Sequence, residues 1–494
     1  MFESAEIGHA LAKTEYRKIE PKLRADLLEA QFALSKDGRF PVVILISGVR
    51  GAGKGETVNL LNEWMDPRFI HTHAFDNPSD EEAERPPMWR YWRVLPPRGR
   101  IGMLFGSWYT APIIDRVFKR TGAGDLAQSI EEIRGFERML TDEGALLLKF
   151  WFHLGKSQQR KRLKALESDP KTRWRVTGRD WDFFKHYDRF YQISESTLRA
   201  TSTGYTPWTV IEGGDPQYRS VMAGRTLLAA LRGRLAQKAA EKPKSPNRAP
   251  EVRALDNLHI LSKLDLEVRI DKEKYDTELA KWQGELARLT RHPGFAQRNV
   301  VLVFEGMDAA GKGGAIRRVT AALDARLYHT IPIAAPTDEE RAQPYLWRFW
   351  RHVPRKGRFT IYDRSWYGRV LVERIEGFCG EADWRRAYAE INEFEAQLTR
   401  SGAIVAKFWL QISKDEQYRR FKERERIRFK QFKITPEDWR NRSRWDAYQT
   451  AAADMVERTS TADSPWVLVE SNDKHWARVK IVKTLCRQIK ARLG

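Results

Sequence analysis

The residues of this chain with the clearest chemical potential are two glycine-rich loops, each ending in lysine and glycine. The first loop reads G-V-R-G-A-G-K-G over Gly48–Gly55, and the second reads G-M-D-A-A-G-K-G over Gly306–Gly313. Glycines let backbone N–H groups approach phosphate oxygens closely, and a lysine at a helix N-terminus adds positive charge. Each loop follows an apolar run and precedes an amphipathic segment, the context that a phosphate-binding loop requires. Both loops therefore predict phosphate binding.

The second loop departs from the common phosphate-binding motif at its last position. Gly313 follows Lys312, where that motif has a Ser or Thr whose hydroxyl binds Mg²⁺. A metal ligand must then come from elsewhere, and Asp308, inside the loop, is the natural supplier. The alternative is an aspartate that only stabilises the turn through local backbone amides. We favour the metal or catalytic role.

A second acidic residue ends the apolar run Phe359–Asp363. An aspartate at the end of a buried strand is where a phosphotransfer site holds Mg²⁺, and magnesium prefers a few carboxylates together with phosphate oxygens. Asp308 and Asp363 together predict such a site, and Arg364 is placed to neutralise a transferring phosphoryl group. The alternative is a strand-end ion pair of Asp363 with Arg364 or a neighbour.

The two loops belong to one repeat, because Lys312 lies 258 positions after Lys54 and other segments keep that offset. Trp89–Trp92 matches Trp347–Trp350, and Lys149–Trp151 matches Lys407–Trp409. At the same offset the first copy has Arg50 where the second has Asp308, and Phe105 where the second has Asp363. The first copy therefore has no evident pair of metal ligands. We expect it to be catalytically silent, as a scaffold more than as an anion-binding surface.

Elements that would hold these residues alternate along the chain. Continuous apolar runs at Val42–Ile46 and Val300–Phe304 are typical of strands buried in a parallel sheet. Further apolar runs at 360–362, 404–410 and 466–469 alternate with helical patterns. This predicts two tandem three-layer α/β/α domains with mainly parallel sheets. The proline-rich segment before Leu255 predicts a linker at 241–254, between domains at 1–240 and 255–494.

Composition limits the class of protein. The chain of 494 residues has 87 basic and 66 acidic residues, a net charge of +21, which favours a polyanionic partner. Nucleic acid, polyphosphate and nucleotides all fit that charge. Two cysteines cannot form a disulfide framework, and no apolar run is long enough to span a bilayer. We expect a cytoplasmic protein with no membrane association. A homo-oligomer is compatible with the sequence, and so is a single chain whose two repeats act as an internal dimer.

Four motifs of the second copy resemble the family-2 polyphosphate kinases. They are Phe304–Arg318 (F-E-G-M-D-A-A-G-K-G-G-A-I-R-R), Ile331–Glu340 (I-P-I-A-A-P-T-D-E-E), Tyr345–Trp350 (Y-L-W-R-F-W) and Tyr362–Arg374 (Y-D-R-S-W-Y-G-R-V-L-V-E-R). The resemblance implies a P-loop kinase-like fold with a helical basic lid. The fused layout resembles the subgroup that phosphorylates AMP to ADP with polyphosphate, whereas single-domain members more often act on nucleoside diphosphates.

The resemblance also implies roles for individual residues. It assigns phosphate binding to the second loop and Mg²⁺ coordination to Asp308 and Asp363. It assigns phosphate contact to Arg364 and Arg424, and it places Glu373 near the nucleotide. The basic stretch 419–433 resembles the family's lid, although such a run is also typical of a solvated helix face. The implied residues are Gly306, Gly311, Lys312, Gly313, Asp308, Asp363, Arg364, Arg424, Glu373 and, in the lid, Lys430 and Lys433.

The resulting hypothesis is Mg²⁺-dependent, in-line phosphoryl transfer from polyphosphate to AMP in the second copy. Two alternatives stay open at this level. One is a nucleoside monophosphate kinase that uses ATP, which the basic lid and the missing loop Ser/Thr disfavour. The other is a basic P-loop module that binds nucleic acid, which the motifs disfavour, so no nucleic-acid partner is expected. The sequence leaves the choice between AMP and ADP as acceptor open.

Overall fold

A computed structural model describes residues 1–237 and 260–493, except for the side chains of 429, 430 and 433. The chain forms two compact units. Of the described residues, the first unit comprises 1–78, 90–237 and 337–347, and the second comprises 79–89, 260–336 and 348–493. Each unit thus includes a short segment of the other repeat. The predicted linker, 241–254, lies outside the described residues, so the boundaries 1–240 and 255–494 stay a prediction.

Each unit is built on a sheet whose described strands are all parallel. The strands of the first repeat are Val42–Gly48 (β1), Ile70–Ala74 (β2), Ile101–Phe105 (β3), Leu146–His153 (β4) and Trp208–Glu212 (β5). Those of the second are Asn299–Gly306 (β6), Tyr328–Pro332 (β7), Phe359–Asp363 (β8), Ala403–Gln411 (β9) and Trp466–Glu470 (β10). Their orders, β2-β3-β1-β4-β5 and β7-β8-β6-β9-β10, are equivalent.

Helices occupy the connections between the strands. Those of the first repeat are Lys13–Asp37 (α1), Lys54–Trp64 (α2), Asp80–Ala83 (α3), Trp89–Trp92 (α4), Thr110–Val117 (α5), Ala123–Asp142 (α6), Lys156–Ser168 (α7), Gly178–Lys185 (α8), Tyr187–Thr201 (α9) and Pro216–Ala236 (α10). Those of the second are Lys272–Leu289 (α11), Lys312–Thr320 (α12), Asp338–Arg341 (α13), Trp347–Trp350 (α14), Val372–Glu376 (α15), Glu381–Arg400 (α16), Lys414–Arg426 (α17), Pro436–Ser443 (α18), Trp445–Thr459 (α19) and Lys474–Leu493 (α20).

The helices form one layer on each face of each sheet, as the sequence predicts. In the first unit α1, α2 and α10 pack together, and α5, α6 and α9 form a separate group. In the second unit α12 and α20 pack with α11, while α15, α16 and α19 pack with one another. Both faces of the central strands β1 and β6 are therefore covered, which explains their nearly continuous apolar sequences. The predicted three-layer α/β fold is confirmed.

No helix in the described part of the chain is both long enough and apolar enough to cross a membrane.

A buried ion pair lies beneath the strand that carries Asp363. Lys407 Nζ on β9 lies 2.7 Å from Glu395 Oε2 on α16, and both side chains are almost fully buried. Glu395 Oε1 accepts hydrogen bonds from Trp366 Nε1 (3.0 Å) and Tyr367 Oη (2.6 Å). The Lys407 ammonium also donates to the Thr459 carbonyl at 2.6 Å. Together these groups hold the chain just after β8.

The first repeat has the same arrangement at every position. Lys149 Nζ lies 2.7 Å from Glu137 Oε2, and it donates to the Thr201 carbonyl at 2.8 Å. Glu137 Oε1 accepts from Trp108 Nε1 (3.1 Å) and Tyr109 Oη (2.6 Å). Because the network is present in the copy that lacks both catalytic-type aspartates, its role is structural.

We expect Glu395→Ala to destabilise the second unit by about 3–5 kcal/mol, since it leaves the Lys407 ammonium buried without its counter-ion. The measurement is the free energy of unfolding from urea titration. Glu393→Ala on the same helix is the matched control, because Glu393 pairs with Arg400 at the surface and such pairs contribute about 0–1 kcal/mol.

The double variant Glu395→Leu/Lys407→Met removes both charges together and should be less destabilising than Glu395→Ala alone. Equal losses for Glu395→Ala and Glu393→Ala would contradict a structural role for the buried pair.

Candidate active site

The second loop turns sharply between β6 and α12. Gly306 and Gly311 have φ angles of 147° and 109°, and a Cβ on Gly306 would lie 2.4 Å from the Leu410 carbonyl oxygen. Only glycine fits at Gly306, because β9 runs directly against it. Ala309 adopts φ 63°, a conformation that costs a non-glycine residue energy and is concentrated at functional sites. The strand, turn and helix that the sequence predicts around Lys312 are therefore present.

Lys312 is folded back on its own loop. Its Nζ donates to the Gly306 carbonyl at 2.7 Å. Burial lowers the pKa of Lys312 and the nearby Arg364 lowers it further, whereas Asp308 and Asp363 raise it. The lysine, the two aspartates and the arginine that the sequence singled out thus lie in one electrostatic cluster.

Asp308 connects the loop to the two helices that follow β9. Its Oδ1 accepts from Arg364 Nη2 at 3.1 Å, and its Oδ2 accepts from Asn441 Nδ2 on α18 at 2.9 Å. Its backbone carbonyl accepts from Gln417 Nε2 on α17 at 3.0 Å. The turn-only interpretation does not account for these contacts, because all three partners are distant in sequence.

Asp363 lies at the carboxyl end of β8, paired in register with Phe304 of β6. A Cβ built on Gly313 would be 4.0 Å from Asp363 Oδ2, so the carboxylate stands over the first turn of α12. The missing side chain at Gly313 leaves this space open. Asp363 therefore lies next to the position where the common motif places its Ser or Thr hydroxyl.

Arg364 follows Asp363 in a left-handed conformation, with φ 64°. Its guanidinium is half exposed and pairs with Asp308, whereas the strand-end alternative paired Arg364 with Asp363. Burial opposes the charge of Arg364, yet Asp308 and Glu305 raise its pKa above the ordinary value. The strained backbone turns this arginine toward the loop.

Glu305 is a site residue that the sequence reasoning missed. It is almost fully buried, and its Oε1 accepts from Ser365 Oγ at 2.8 Å. Burial raises the pKa of Glu305, while Lys312 and Ser365 oppose that rise. The first repeat has Ser47 at this position. The repeat comparison that identified Asp308 and Asp363 therefore contains the signal for a third lost acid.

The predicted basic lid contains residues of different kinds. Arg420 on α17 is buried and donates to the carbonyls of Ala309 (2.9 Å) and Ser471 (2.6 Å), so it clamps the loop rather than reaching out. Arg424 lies one turn further along α17 and is partly buried. Lys430 and Lys433 lie on the short 3₁₀ helix Arg428–Lys433 that follows.

Glu373 lies on α15, where its Oε2 is 3.1 Å from Arg369 Nε. The structure thus brings Gly306, Asp308, Lys312, Asp363 and Arg364 together, and it places Glu373 on the helix that follows β8.

No group of three or more histidine, cysteine, aspartate or glutamate side chains in the described ranges could hold a metal ion by itself. Asp308 and Asp363 offer two carboxylates beside a phosphate-binding loop. That donor set fits a hard divalent cation that takes its remaining ligands from water and substrate phosphates.

The first loop keeps the lysine geometry and loses the acids. Lys54 Nζ donates to the carbonyls of Gly48 (2.7 Å) and Val49 (2.8 Å). Arg50, at the position of Asp308, instead forms an ion pair with Asp180 at 2.7 Å. Phe105 ends β3 where Asp363 ends β8. The asymmetry expected from the sequence is therefore present in side-chain contacts.

Comparisons with known proteins agree along the whole chain. A family model described as polyphosphate kinase 2 (PPK2) matches residues 10–239 and 269–493. A polyphosphate:AMP phosphotransferase of Pseudomonas aeruginosa is 58% identical over 491 residues, covering 99% of both chains. A polyphosphate:AMP phosphotransferase of Pseudomonas syringae pv. tomato is 53% identical over 487 residues, covering 98% of this chain and 97% of that one.

A solved structure also matches in full. The crystal structure of a polyphosphate kinase 2 from Pseudomonas aeruginosa superposes with a TM-score of 0.91 at 55% identity, covering 100% of this chain and 99% of that one. One family model thus matches both repeats, and one solved structure covers both. The chain belongs to the polyphosphate kinase 2 family.

Proposed function

We propose that this enzyme transfers the terminal phosphoryl group of inorganic polyphosphate to AMP and forms ADP. The observation that carries the proposal is the agreement of the whole tandem chain with two relatives named polyphosphate:AMP phosphotransferase. The second unit supplies the phosphate-binding loop, two carboxylates and arginines that such a transfer requires. Catalysis is assigned to that unit, because the first has Arg50 and Phe105 at the acidic positions.

In the proposed reaction an oxygen of the AMP phosphate attacks the terminal phosphorus of polyphosphate. The bond from that phosphorus to the next phosphate breaks, and the chain leaves one phosphate shorter. Lys312, Arg364 and Arg424 stabilise the charge on the transferring group, since this kind of transfer depends mainly on positioning and electrostatics. Gly306, Gly311 and Gly313 let the loop backbone approach the phosphates. Lys430 and Lys433 are proposed to bind phosphates further along the polyphosphate chain.

Asp308 and Asp363 would hold the divalent cation, which we take to be Mg²⁺. A bound Mg²⁺ supplies charge neutralisation for the phosphate oxygens. Asp308 shares its carboxylate with Arg364 and Asn441, and these two donors hold it beside the loop. Glu373 is proposed to lie on the nucleotide side.

The cytoplasm is the compartment we propose, supported by the two cysteines, Cys379 and Cys486, which form no disulfide. No nucleic-acid partner is proposed, because the positive charge is accounted for by a polyphosphate substrate.

The direct test supplies purified enzyme and Mg²⁺ with each donor and acceptor in turn. We expect ADP from AMP with polyphosphate, and much slower product formation when ATP replaces polyphosphate or ADP replaces AMP. Product identification by anion-exchange chromatography checks this. Equal rates with ATP would support the nucleoside monophosphate kinase instead. Tight binding of DNA or RNA that polyphosphate fails to displace would support the nucleic-acid-binding module.

Asp308→Asn and Asp363→Asn should each lower kcat by at least about 100-fold, because each removes a charge that holds the cation and leaves the side-chain shape intact. Steady-state kinetics over a range of Mg²⁺ concentrations checks this, and Asp446→Asn on the exposed start of α19 is the charge-matched control. If either loop variant retained the parent kcat and Mg²⁺ dependence, the assigned metal role would be wrong.

Lys312→Ala should reduce kcat far more than Lys54→Ala, by at least about 100-fold relative to it, because only the second loop faces the two aspartates. The comparison uses the same assay on both variants. Loss of activity in Lys54→Ala as complete as in Lys312→Ala would overturn the assignment of catalysis to the second unit.

A further inference from the structure

The first unit contains a cavity of about 780 Å³ over its own glycine-rich loop. Residues of the loop form one end, and side chains from β3, β4, α5, α7, α8 and α9 form most of the remaining wall. This volume is in the range of small-molecule sites, roughly 300–1,000 Å³. A catalytically silent copy has no need to keep such a space. The cavity therefore raises the question of which ligand its walls fit.

The end of the cavity at the first loop suits a phosphate group. Gly48, Gly51 and Gly53 have φ angles of 135°, 81° and 80°, so the backbone forms the same tight turn as in a phosphate-binding loop. Lys54 stands at the start of α2, and burial together with the nearby Arg50 lowers its pKa to about 7, although Asp180 opposes that change. A bound anion would restore the full positive charge of this lysine.

The charges of the cavity leave no carboxylate for a metal. Four cationic side chains and two carboxylates line it, and both carboxylates are already paired. Asp180 pairs with Arg50, and Glu56 pairs with Arg162 (3.2 Å), Arg175 (3.5 Å) and Arg219 (2.6 Å). The net charge of the lining is thus positive, and an anion would be neutralised directly by side chains.

Two positions of the cavity wall carry aromatic side chains where the second repeat has polar ones. Phe105 replaces Asp363, and Phe183 replaces Asn441. The guanidinium of Arg50 lies 4.3 Å from the centre of the Phe183 ring, and Phe75 adds a further aromatic wall. Aromatic walls of this kind bind planar rings well. The substitutions that removed metal chemistry therefore also created a surface for an aromatic body.

Two buried polar atoms on the cavity wall lack partners. Trp151 Nε1, a donor, and Gln159 Oε1, an acceptor, make no hydrogen bond, although both residues are at least nine-tenths buried. In the second unit the equivalent Trp409 Nε1 donates to Gln411, and the equivalent Gln417 Oε1 accepts from Arg442. Unpaired buried polar atoms are rare and costly, about 1–3 kcal/mol each. Both atoms are closed to solvent, so a ligand would reach them only after these side chains rotate.

We propose that the first unit binds a nucleoside monophosphate, or a chemically similar aromatic phosphate monoester, without a metal ion. The phosphate is held by Lys54 and the first loop, and the ring lies against Phe105 and Phe183. Trp151 and Gln159 line the same cavity. This site is separate from the catalytic site of the second unit, and its ligand is not consumed there.

The test measures AMP binding by isothermal titration calorimetry in the presence of EDTA. It uses the full-length Lys312→Met variant, in which phosphate binding by the second loop is weakened. We expect one AMP per chain, bound at least tenfold more tightly than adenosine or inorganic phosphate. Adding Lys54→Met should weaken AMP binding at least tenfold. Lys161→Met, on the exposed face of α7, is the charge-matched control and should change nothing.

A second variant keeps every charge and fills the cavity. Ile114→Trp, on α5, places a larger ring in the space for the ligand and should also reduce AMP affinity at least tenfold, with circular dichroism melting checking that both variants remain folded. Binding that requires Mg²⁺, that is as tight for adenosine or inorganic phosphate as for AMP, or that survives both Lys54→Met and Ile114→Trp would overturn the proposal. Binding of polyphosphate in place of AMP would overturn the ligand class.

Discussion

The buried ion pair of Lys407 and Glu395 is the interaction on which the catalytic arrangement depends. Two charges removed from water are stable only when every remaining hydrogen-bonding group is satisfied. Trp366, Tyr367 and Thr459 satisfy them, and so the chain immediately after Asp363 is held in one conformation. The carboxylate at the end of β8 is thereby fixed relative to the second loop.

The same network in the first unit explains how one scaffold supports two different sites. Glu137 and Lys149 keep the chain after β3 in the same position, so the residue at Phe105 can change without loss of the fold. Where an aspartate stands at that position the site has charge for a cation. Where phenylalanine stands there, the crevice has an aromatic wall in place of a carboxylate. Residues that stabilise the fold and residues that determine the chemistry of the site are thus different residues, although they lie only a few positions apart.

Strands were predicted where the sequence is continuously apolar. Central strands such as β6 were predicted because both faces are covered and their sequences are apolar throughout. The edge strands β2 and β7 were not predicted, because their side chains are mostly exposed and their sequences, I-H-T-H-A and Y-H-T-I-P, are partly polar. Glu305 was missed for a related reason, because a single charged residue within an apolar strand gives no periodic signal. The signal that could have found it is Ser47, the residue at the equivalent position of the first repeat.

The sequence by itself determined the repeat, the two phosphate-binding loops, the loss of acids in the first copy and the family. These are properties of residue type and spacing along the chain. Only the tertiary structure decided that Asp308 contacts Arg364 and Asn441, that Arg420 is a buried clamp, and that the first loop opens into a cavity. The physical reason is that such contacts join residues tens to more than a hundred positions apart, and packing of the sheet and its helices alone brings them together.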